Sequence, residues 1–297
     1  MKASVEVLLS ENLKQLKLST MLRNLESSIR QAQEGRYAYE DFLLNLTEIE
    51  LQVRSENREK RRLKDAKFPL MKPMEMFEIE SAVGIDGRLI GELAGCEFIS
   101  KCRNVIFFGK SGTGKTHLAT GIGIEACKKG FRTRFVTGCG LSNELIEARD
   151  EKVLSRIIKR YANYDLLIID ELGYVPFSKE GAELLFQVLA ERHERKPVII
   201  TTNKNFGNWT EVFGDASLTA ALLDRVTHKA HVIHCDWDSY RLKESLAMRG
   251  KASRLGKKLG KDNDKSIETG KKLGKDDDKS IEPGKKLGKK SGRAENA

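Results

Sequence analysis

Cysteine is scarce, and no two of the five cysteines form a C-x-x-C pair. Their odd number and scattered positions argue against a disulfide framework and a zinc ribbon, and they fit a reducing compartment. Long apolar runs are missing too, since none approaches the roughly 18 residues that a membrane span requires. Glu6 stands where a secretory signal would be apolar. We therefore expect a cytoplasmic protein that does not contact the membrane.

The positive charge is unevenly distributed. The 297 residues carry a net charge of +10, and residues 250–297 hold 15 Lys and Arg against 8 Asp and Glu. A 14-residue unit begins at Gly256, recurs at Gly270 and starts again at Gly284. Because this segment has few apolar residues and many charges, it cannot bury a core, and we predict a disordered basic repeat tail. Such a tail either adds non-specific affinity for DNA or is inert.

The first part of the chain has a helical pattern. Apolar residues recur at helical spacing through residues 1–66, which predicts a small all-helical N-terminal domain. Residues 67–76 contain two prolines and are predicted to be a linker. A basic sector precedes the linker and is either a solvated helical face or a contact surface for DNA phosphates. It consists of Arg54, Arg58, Lys60, Arg61, Arg62 and Lys64.

Strand and helix patterns alternate through residues 77–249. Five short apolar segments with strand character are separated by helical patterns, which is typical of an α/β fold. We predict a mostly parallel five-stranded sheet with helices on both faces.

The segment from Gly109 to Thr116 fits the pattern G-x-x-x-x-G-K-[ST] of a P-loop, with a strand pattern before it and a helical pattern after it. Glycines allow a tight turn whose N–H groups cradle phosphate oxygens at a helix N-terminus. Lys115 is expected to reach the β and γ phosphates, and Thr116 to ligate Mg²⁺. The alternative is an ordinary glycine-rich turn. The expected phosphate-binding residues are Gly109, Lys110, Ser111, Gly112, Thr113, Gly114, Lys115 and Thr116.

Two carboxylates follow a run of four apolar residues. This pattern predicts a buried parallel strand that delivers Asp170 and Glu171 at its carboxyl end, where open α/β sheets bind ligands. Asp170 would hold Mg²⁺ from its second shell, and Glu171 would activate the attacking water as a general base. Asn203 ends the next strand pattern and would hydrogen-bond the γ phosphate or the water, or else it only closes a turn. These residues predict hydrolysis of a bound nucleotide.

Four segments carry a resemblance to a known protein family. They are Gly-Lys-Thr-His-Leu-Ala (114–119), Tyr-Asp-Leu-Leu-Ile-Ile-Asp-Glu-Leu-Gly-Tyr-Val-Pro-Phe (164–177), Ile-Ile-Thr-Thr-Asn (199–203) and Trp-Thr-Glu-Val-Phe-Gly-Asp (209–215). These segments resemble the IstB-like AAA+ ATPases, helper proteins of transposases that are related to the DnaC helicase loaders. The likeness spans about residues 8–248 and extends to Tyr-Glu-Asp-Phe-Leu (39–43), which is similar to the family's DNA-remodelling or partner-binding module. The resemblance therefore implies that the N-terminal domain binds DNA or a partner protein. It implies a P-loop NTPase core of the AAA+ type, with ATP and Mg²⁺ as cofactors.

The resemblance also implies two arginine roles. Asp224-Arg225 is similar to the family's arginine-finger position, so Arg225 would reach a γ phosphate bound by a neighbouring subunit. The segment from Trp237 to Arg241 is similar to the sensor-2 segment, so Arg241 would contact phosphates in its own chain, although Arg249 is hard to separate from it by sequence. Either arginine could instead be a surface or ion-paired residue. An arginine that acts in trans implies a homo-oligomer.

The implied function is that of an ATP-hydrolysing helper of a DNA transposase, which assembles on double-stranded DNA and regulates target selection or transposase activity. A replicative helicase loader of the DnaC type is the main alternative. The absence of cysteine before Cys96, which removes the zinc module of some loaders, and the run Leu-Gly-Tyr-Val-Pro-Phe favour the transposase helper. A small-molecule kinase would need recognition residues for an acceptor, and the sequence shows no such constellation.

Overall fold

The computed structural model describes residues 2–77, 86–237 and 239. Arg241 and the predicted tail at 250–297 therefore lie outside the described residues. Three helices come first, α1 (Lys2–Gln15), α2 (Ser19–Gly35) and α3 (Tyr39–Ala66). They pack around a small apolar core made by Leu13, Met21, Leu25 and Leu46. The predicted helical character of this region is confirmed.

A buried carboxylate joins two of these helices. Glu50 of α3 accepts hydrogen bonds from the backbone N–H groups of Thr20 and Met21, each at 2.9 Å. These are orphan donors at the start of α2, whose N-cap residue Leu18 provides no side-chain acceptor. Burial alone raises the pKa of Glu50, but the bonds from Met21, Arg54 and Thr20 outweigh it and hold the pKa below its usual value. Glu50 thus caps α2 from a different helix.

The α/β core follows. Its strands are β1 (Val105–Gly109), β2 (Thr133–Thr137), β3 (Leu166–Asp170), β4 (Val198–Thr202) and β5 (His231–Cys235). Its helices are α4 (Gly87–Ala94), α5 (Glu97–Ser100), α6 (Lys115–Lys128), α7 (Gly138–Asp150), α8 (Leu154–Ala162), α9 (Lys179–Arg192), α10 (Trp209–Phe213) and α11 (Ala216–Thr227). Helices α7 and α8 are separate, because the chain turns at Lys152, where φ is 60°.

The strands form one sheet in the order β2-β3-β4-β1-β5, and every pair is parallel. Ile168 lies opposite Ile199, and Phe108 lies opposite both Thr202 and His234. All residues of β3 and β4 are buried, as expected for central strands of a parallel sheet that is covered on both faces. The predicted α/β fold with a five-stranded parallel sheet is confirmed.

The two faces of the sheet bury separate apolar cores. One face packs under α7, α8, α9, α10 and α11, with Ile106, Ile169 and Ile200 pointing into it. The other face packs under α4, α5 and α6, with Val105 and Ile168 in its core. Parallel strands point their carboxyl ends to the same edge, so the residues that follow β1, β3 and β4 lie next to one another.

A buried arginine fixes the opposite edge of the sheet. Arg192, at the end of α9, is about 1% exposed. Its guanidinium donates to the carbonyl oxygens of Tyr161, Tyr164 and Pro197 at 2.5–2.9 Å. Burial lowers the pKa of Arg192 to about 9. The side chain therefore ties the end of α8 and the segments before β3 and β4 to α9.

Glu50→Gln should destabilise the helical region. The variant loses a charged acceptor for two helix N-terminal donors, so we expect the free energy of unfolding at pH 7 to fall by about 1–2 kcal/mol. The pKa of Glu50 is depressed in the folded state. Its stabilisation is therefore present above the unfolded value near 4.5 and is lost as the pH falls through the folded pKa.

Urea unfolding followed by circular dichroism checks this expectation. Glu48→Gln, an exposed neighbour on α3, is the matched control and should unfold like the wild type. The difference between wild type and Glu50→Gln should shrink below pH 4.5. Equal stability of the two proteins at pH 7 would show that Glu50 does not cap α2.

Candidate functional site

The loop between β1 and α6 has the backbone of a phosphate cradle. Gly109, Gly112 and Gly114 have φ values of 143°, 84° and 91°, all in the region that favours glycine. A Cβ atom at Gly109 would lie 2.1 Å from the carbonyl oxygen of Cys235, so a larger residue would push β5 away from the loop. The loop then enters α6 at Lys115, where the free N–H groups and the helix dipole favour an anion.

Contacts from the segment after β5 hold this loop in place. The indole Nε1 of Trp237 donates to the carbonyl oxygen of Thr113 at 2.8 Å. The buried Thr113 hydroxyl donates to the carbonyl oxygen of Lys110 at 3.0 Å. Lys110 pairs with Asp236 at 2.7 Å, and this hydrogen bond lowers the pKa of Asp236. The tryptophan of the segment that resembles sensor 2 therefore stabilises the loop, a role that the sequence did not indicate.

The Lys115 ammonium lies inside the loop. Its Nζ donates to the carbonyl oxygens of Gly109 at 2.8 Å and Lys110 at 2.5 Å. Lys110 and Ser111 are exposed at the rim of the loop. Backbone carbonyls hold this cation in the concavity, and its contact with the β and γ phosphates stays a prediction.

Thr116 and Asp170 meet at the carboxyl edge of the sheet. The Thr116 hydroxyl lies 2.9 and 3.1 Å from the two carboxylate oxygens of Asp170. Asp170 is about 4% exposed, so its carboxylate is almost entirely enclosed. Mg²⁺ in nucleotide sites takes one or two protein oxygens and completes its shell with phosphates and waters. One hydroxyl backed by one carboxylate fits that requirement, and Thr116 and Asp170 would hold the ion.

Thr201 is a site residue that the sequence reasoning missed. Its hydroxyl donates to Asp170 Oδ1 at 2.5 Å and accepts the backbone N–H of Glu171 at 2.9 Å. Thr201 lies on β4, one strand away from the two carboxylates, so it fixes the rotamer of the first acid and the backbone of the second. The signal available in the sequence was the pair Thr201-Thr202 at the end of a buried strand pattern.

Glu171 follows β3 in an unusual backbone conformation. Its φ is 54°, in the left-handed region that residues other than glycine seldom adopt. Such strain persists only where the surroundings impose it, and it is common at active sites. The bond from the Glu171 N–H to Thr201 helps to impose it here. The Glu171 side chain is exposed at the carboxyl edge, next to the enclosed Asp170.

The other predicted site residues are placed differently. Asn203 is exposed and directly follows β4, which pairs with both β1 and β3, so it lies at the same edge as the loop. Arg225 does not join them. Its carbonyl oxygen lies near the Asn104 side chain at the amino end of β1, and its guanidinium packs 4.8 Å above the Phe186 ring. Its Nη1 also donates to the Ala221 carbonyl oxygen at 2.8 Å.

Thr201→Val should separate the role of this hydroxyl from simple packing. Removing it frees the Asp170 carboxylate, and loss of a supporting partner of this kind weakens metal affinity by about 10- to 100-fold. We expect that loss in Mg²⁺-dependent nucleotide binding, with little change in binding measured without Mg²⁺. Thr202→Val is the control, because its hydroxyl accepts the local Lys204 N–H. If both variants weakened Mg²⁺-dependent nucleotide binding equally, the support of Asp170 by the Thr201 hydroxyl would be contradicted.

Comparison with known proteins gives a consistent result. The family described as IstB-like ATP binding protein matches residues 11–248. The protein assigned as ATP-binding in insertion sequence IS21 of Pseudomonas aeruginosa is 38% identical over 240 residues, which cover 81% of this chain and 89% of that protein. Its counterpart in insertion sequence IS232 of Bacillus thuringiensis subsp. berliner is 39% identical over 239 residues, covering 80% and 96%.

Among solved structures, AMPPCP-bound DnaA from Aquifex aeolicus is 20% identical and has a TM-score of 0.48, covering 61% of this chain and 56% of its own. In the part of the chain that the structure describes, no helix is long and apolar enough to cross a membrane. The family match and the two insertion-sequence relatives establish the kinship. The chain belongs to the IstB-like ATP-binding protein family.

Proposed function

We propose that this protein is an ATP-hydrolysing helper of a DNA transposase, which assembles on DNA as an oligomer and regulates target selection or transposase activity. The proposal of hydrolysis is supported by one arrangement at the edge of the sheet, which is made of Thr116, Asp170, Thr201 and Glu171. Its relatives lie in insertion sequences, which favours transposition over the loading of a replicative helicase.

The side chains divide the work of hydrolysis. Lys115 and the loop N–H groups bind the phosphates, and Thr116 and Asp170 hold Mg²⁺, which neutralises charge on the phosphates when it is bound. Glu171 accepts a proton from the attacking water, and its exposure at the sheet edge leaves room for that water. Asn203 is placed to orient the water or the γ phosphate from the adjacent strand end.

The position of Arg225 supports the proposal of an oligomer. Its backbone lies at the amino end of β1, whereas the phosphate loop lies at the carboxyl end, about 16 Å away at the usual rise along a strand. Arg225 is therefore poorly placed to serve the loop of its own chain. A second copy that packs its phosphate loop against the face that carries Arg225 would receive the guanidinium, which lies on the Phe186 ring. ATP would then be bound at a boundary between subunits.

The basic sector of α3 provides a surface for double-stranded DNA. Three of its members contact groups of the same chain: Arg54 bonds Glu50 at 2.7 Å, Arg62 bonds the Cys127 carbonyl oxygen at 2.8 Å, and the exposed Arg61 lies 3.8 Å from Asp65. Arg61 and the remaining members are exposed, and phosphate contact requires exposed cations but no particular base. These candidates for DNA phosphates are Arg58, Lys60, Arg61 and Lys64.

Glu171→Gln should bind ATP with near-normal affinity and lose turnover. Glutamine keeps the size of the side chain but cannot accept the proton, so we expect kcat to fall by about 10²- to 10⁴-fold. Phosphate release and equilibrium binding of a labelled nucleotide measure the two properties. Glu191→Gln, an exposed change on α9, is the control and should hydrolyse ATP like the wild type. Normal hydrolysis by Glu171→Gln would remove the general-base role.

Mixing two inactive variants tests the shared site. Arg225→Ala lacks the trans-acting cation, and Lys115→Ala lacks phosphate binding, so each should be nearly inactive alone. In an equal mixture about a quarter of the boundaries would join an intact loop to an intact arginine, and about a quarter of the activity should return. Arg195→Ala, an exposed arginine, should remain active alone. Absence of rescue at every mixing ratio would count against Arg225.

A further inference from the structure

Two glycines let other parts of the chain approach closely to α6, the helix that follows the phosphate loop. Gly121 and Gly123 lie in the middle of α6, where glycine is unfavourable relative to alanine. A Cβ atom at Gly121 would lie 2.5 Å from Met74 Sδ and 3.2 Å from the Met74 backbone nitrogen. One at Gly123 would lie 2.8 Å from Phe68 Cε1 and 2.6 Å from Ile168 Cδ1. Gly121 thus lets Met74 lie directly against α6, and Gly123 makes room both for Phe68 and for the sheet residue Ile168.

A histidine fastens the same segment near the phosphate loop. His117 Nε2 lies 3.1 Å from the carbonyl oxygen of Pro73. A carbonyl oxygen only accepts hydrogen bonds, so Nε2 must carry the hydrogen. The His117 ring also meets the Phe77 ring edge to face at 5.4 Å. The Phe77 ring in turn lies against Gly114, where a Cβ would approach to 2.8 Å.

The far end of α6 is held by the helical region. Arg62 of α3 donates from Nε to the carbonyl oxygen of Cys127 at 2.8 Å. Cys127 lies in the last turn of α6, where carbonyl groups have no partner within the helix and the dipole favours a cation. The helical region and the segment 68–77 therefore contact α6 at both ends and along its outer surface.

We propose that α6 couples phosphate binding at its first turn to the docking of segment 68–77 and thereby to the three-helix region, with His117 and Arg62 as positioning residues. The inference rests on the proposed nucleotide binding. A bound phosphate fixes Gly114 and the first turn of α6, against which Phe77 and Pro73 pack, so it restricts the segment as well. Coupling of this kind is reciprocal: docking of the segment strengthens nucleotide binding by the same factor.

Hydrogen exchange of the full-length protein measures this coupling. The Met76 and Phe77 N–H groups bond the carbonyl oxygens of Pro73 and Met74, so they report on the docked segment. We expect a non-hydrolysable ATP analogue to slow their exchange by about 10-fold. His117→Ala should abolish that slowing and weaken binding of the analogue by a similar factor. His117→Gln, which keeps a donor of similar reach, should restore part of both effects.

A second pair of variants covers the case in which His117→Ala fails to fold. Arg62→Met removes the contact at the far end of α6, and we expect it to reduce the slowing of exchange. Glu48→Gln, an exposed change on the same helix, should leave the slowing intact. If the analogue binds to the wild type and exchange of Met76 and Phe77 does not change, the coupling is wrong and the nucleotide site stands. If the analogue does not bind to the wild type at all, both the coupling and the proposed nucleotide-dependent function are wrong.

Discussion

The site depends on one enclosed carboxylate. Asp170 accepts hydrogen bonds from Thr116 on α6 and from Thr201 on β4, so it links the phosphate-binding helix to the neighbouring strand. A charge that is almost fully enclosed is stable only when it is paired or hydrogen-bonded, and here the partners are two hydroxyl groups and the expected Mg²⁺. Thr201 also accepts the backbone N–H of Glu171, so one chain of hydrogen bonds sets the geometry of both acids.

The helix α6 contacts several other parts of the chain besides forming the phosphate site. Its first turn forms the anion site, its buried face packs on Ile168 and its neighbours, and its outer face receives the segment 68–77. Its last turn is capped by Arg62 of the helical region. A change at the phosphate site therefore has a direct path of contacts to the part of the chain that carries the exposed cations of α3.

Much of this arrangement could be predicted from the sequence, because it depends on local patterns. Two local patterns each specify a strand end within a few residues: the one from Gly109 to Thr116 and the buried run before Asp170. Because the strands are parallel, the sheet then brings Thr116 and Asp170 together. The helical nature of residues 1–66 was predicted on the same basis, from apolar periodicity.

The rest depends on contacts between residues that are distant in the sequence. Thr201 hydrogen-bonds to Glu171 and Asp170, which lie 30 and 31 positions before it. Trp237 donates to the Thr113 carbonyl oxygen, 124 positions before it. Glu50 caps a helix that begins 31 residues earlier, and Arg192 bonds three carbonyls that only the fold brings together. Glycines within α6 are unfavourable in terms of helix propensity alone, and their use becomes clear only when Met74 and Phe68 are seen lying on them.

We propose that ATP, bound where two subunits meet, holds an assembly on DNA. The mass distribution of the full-length protein on duplex DNA tests this, measured by mass photometry with a non-hydrolysable ATP analogue, with ADP and without nucleotide. We expect multimers on DNA with the analogue and their loss with ADP or without nucleotide. The same distribution under all three conditions, or monomers alone with the analogue, would contradict it.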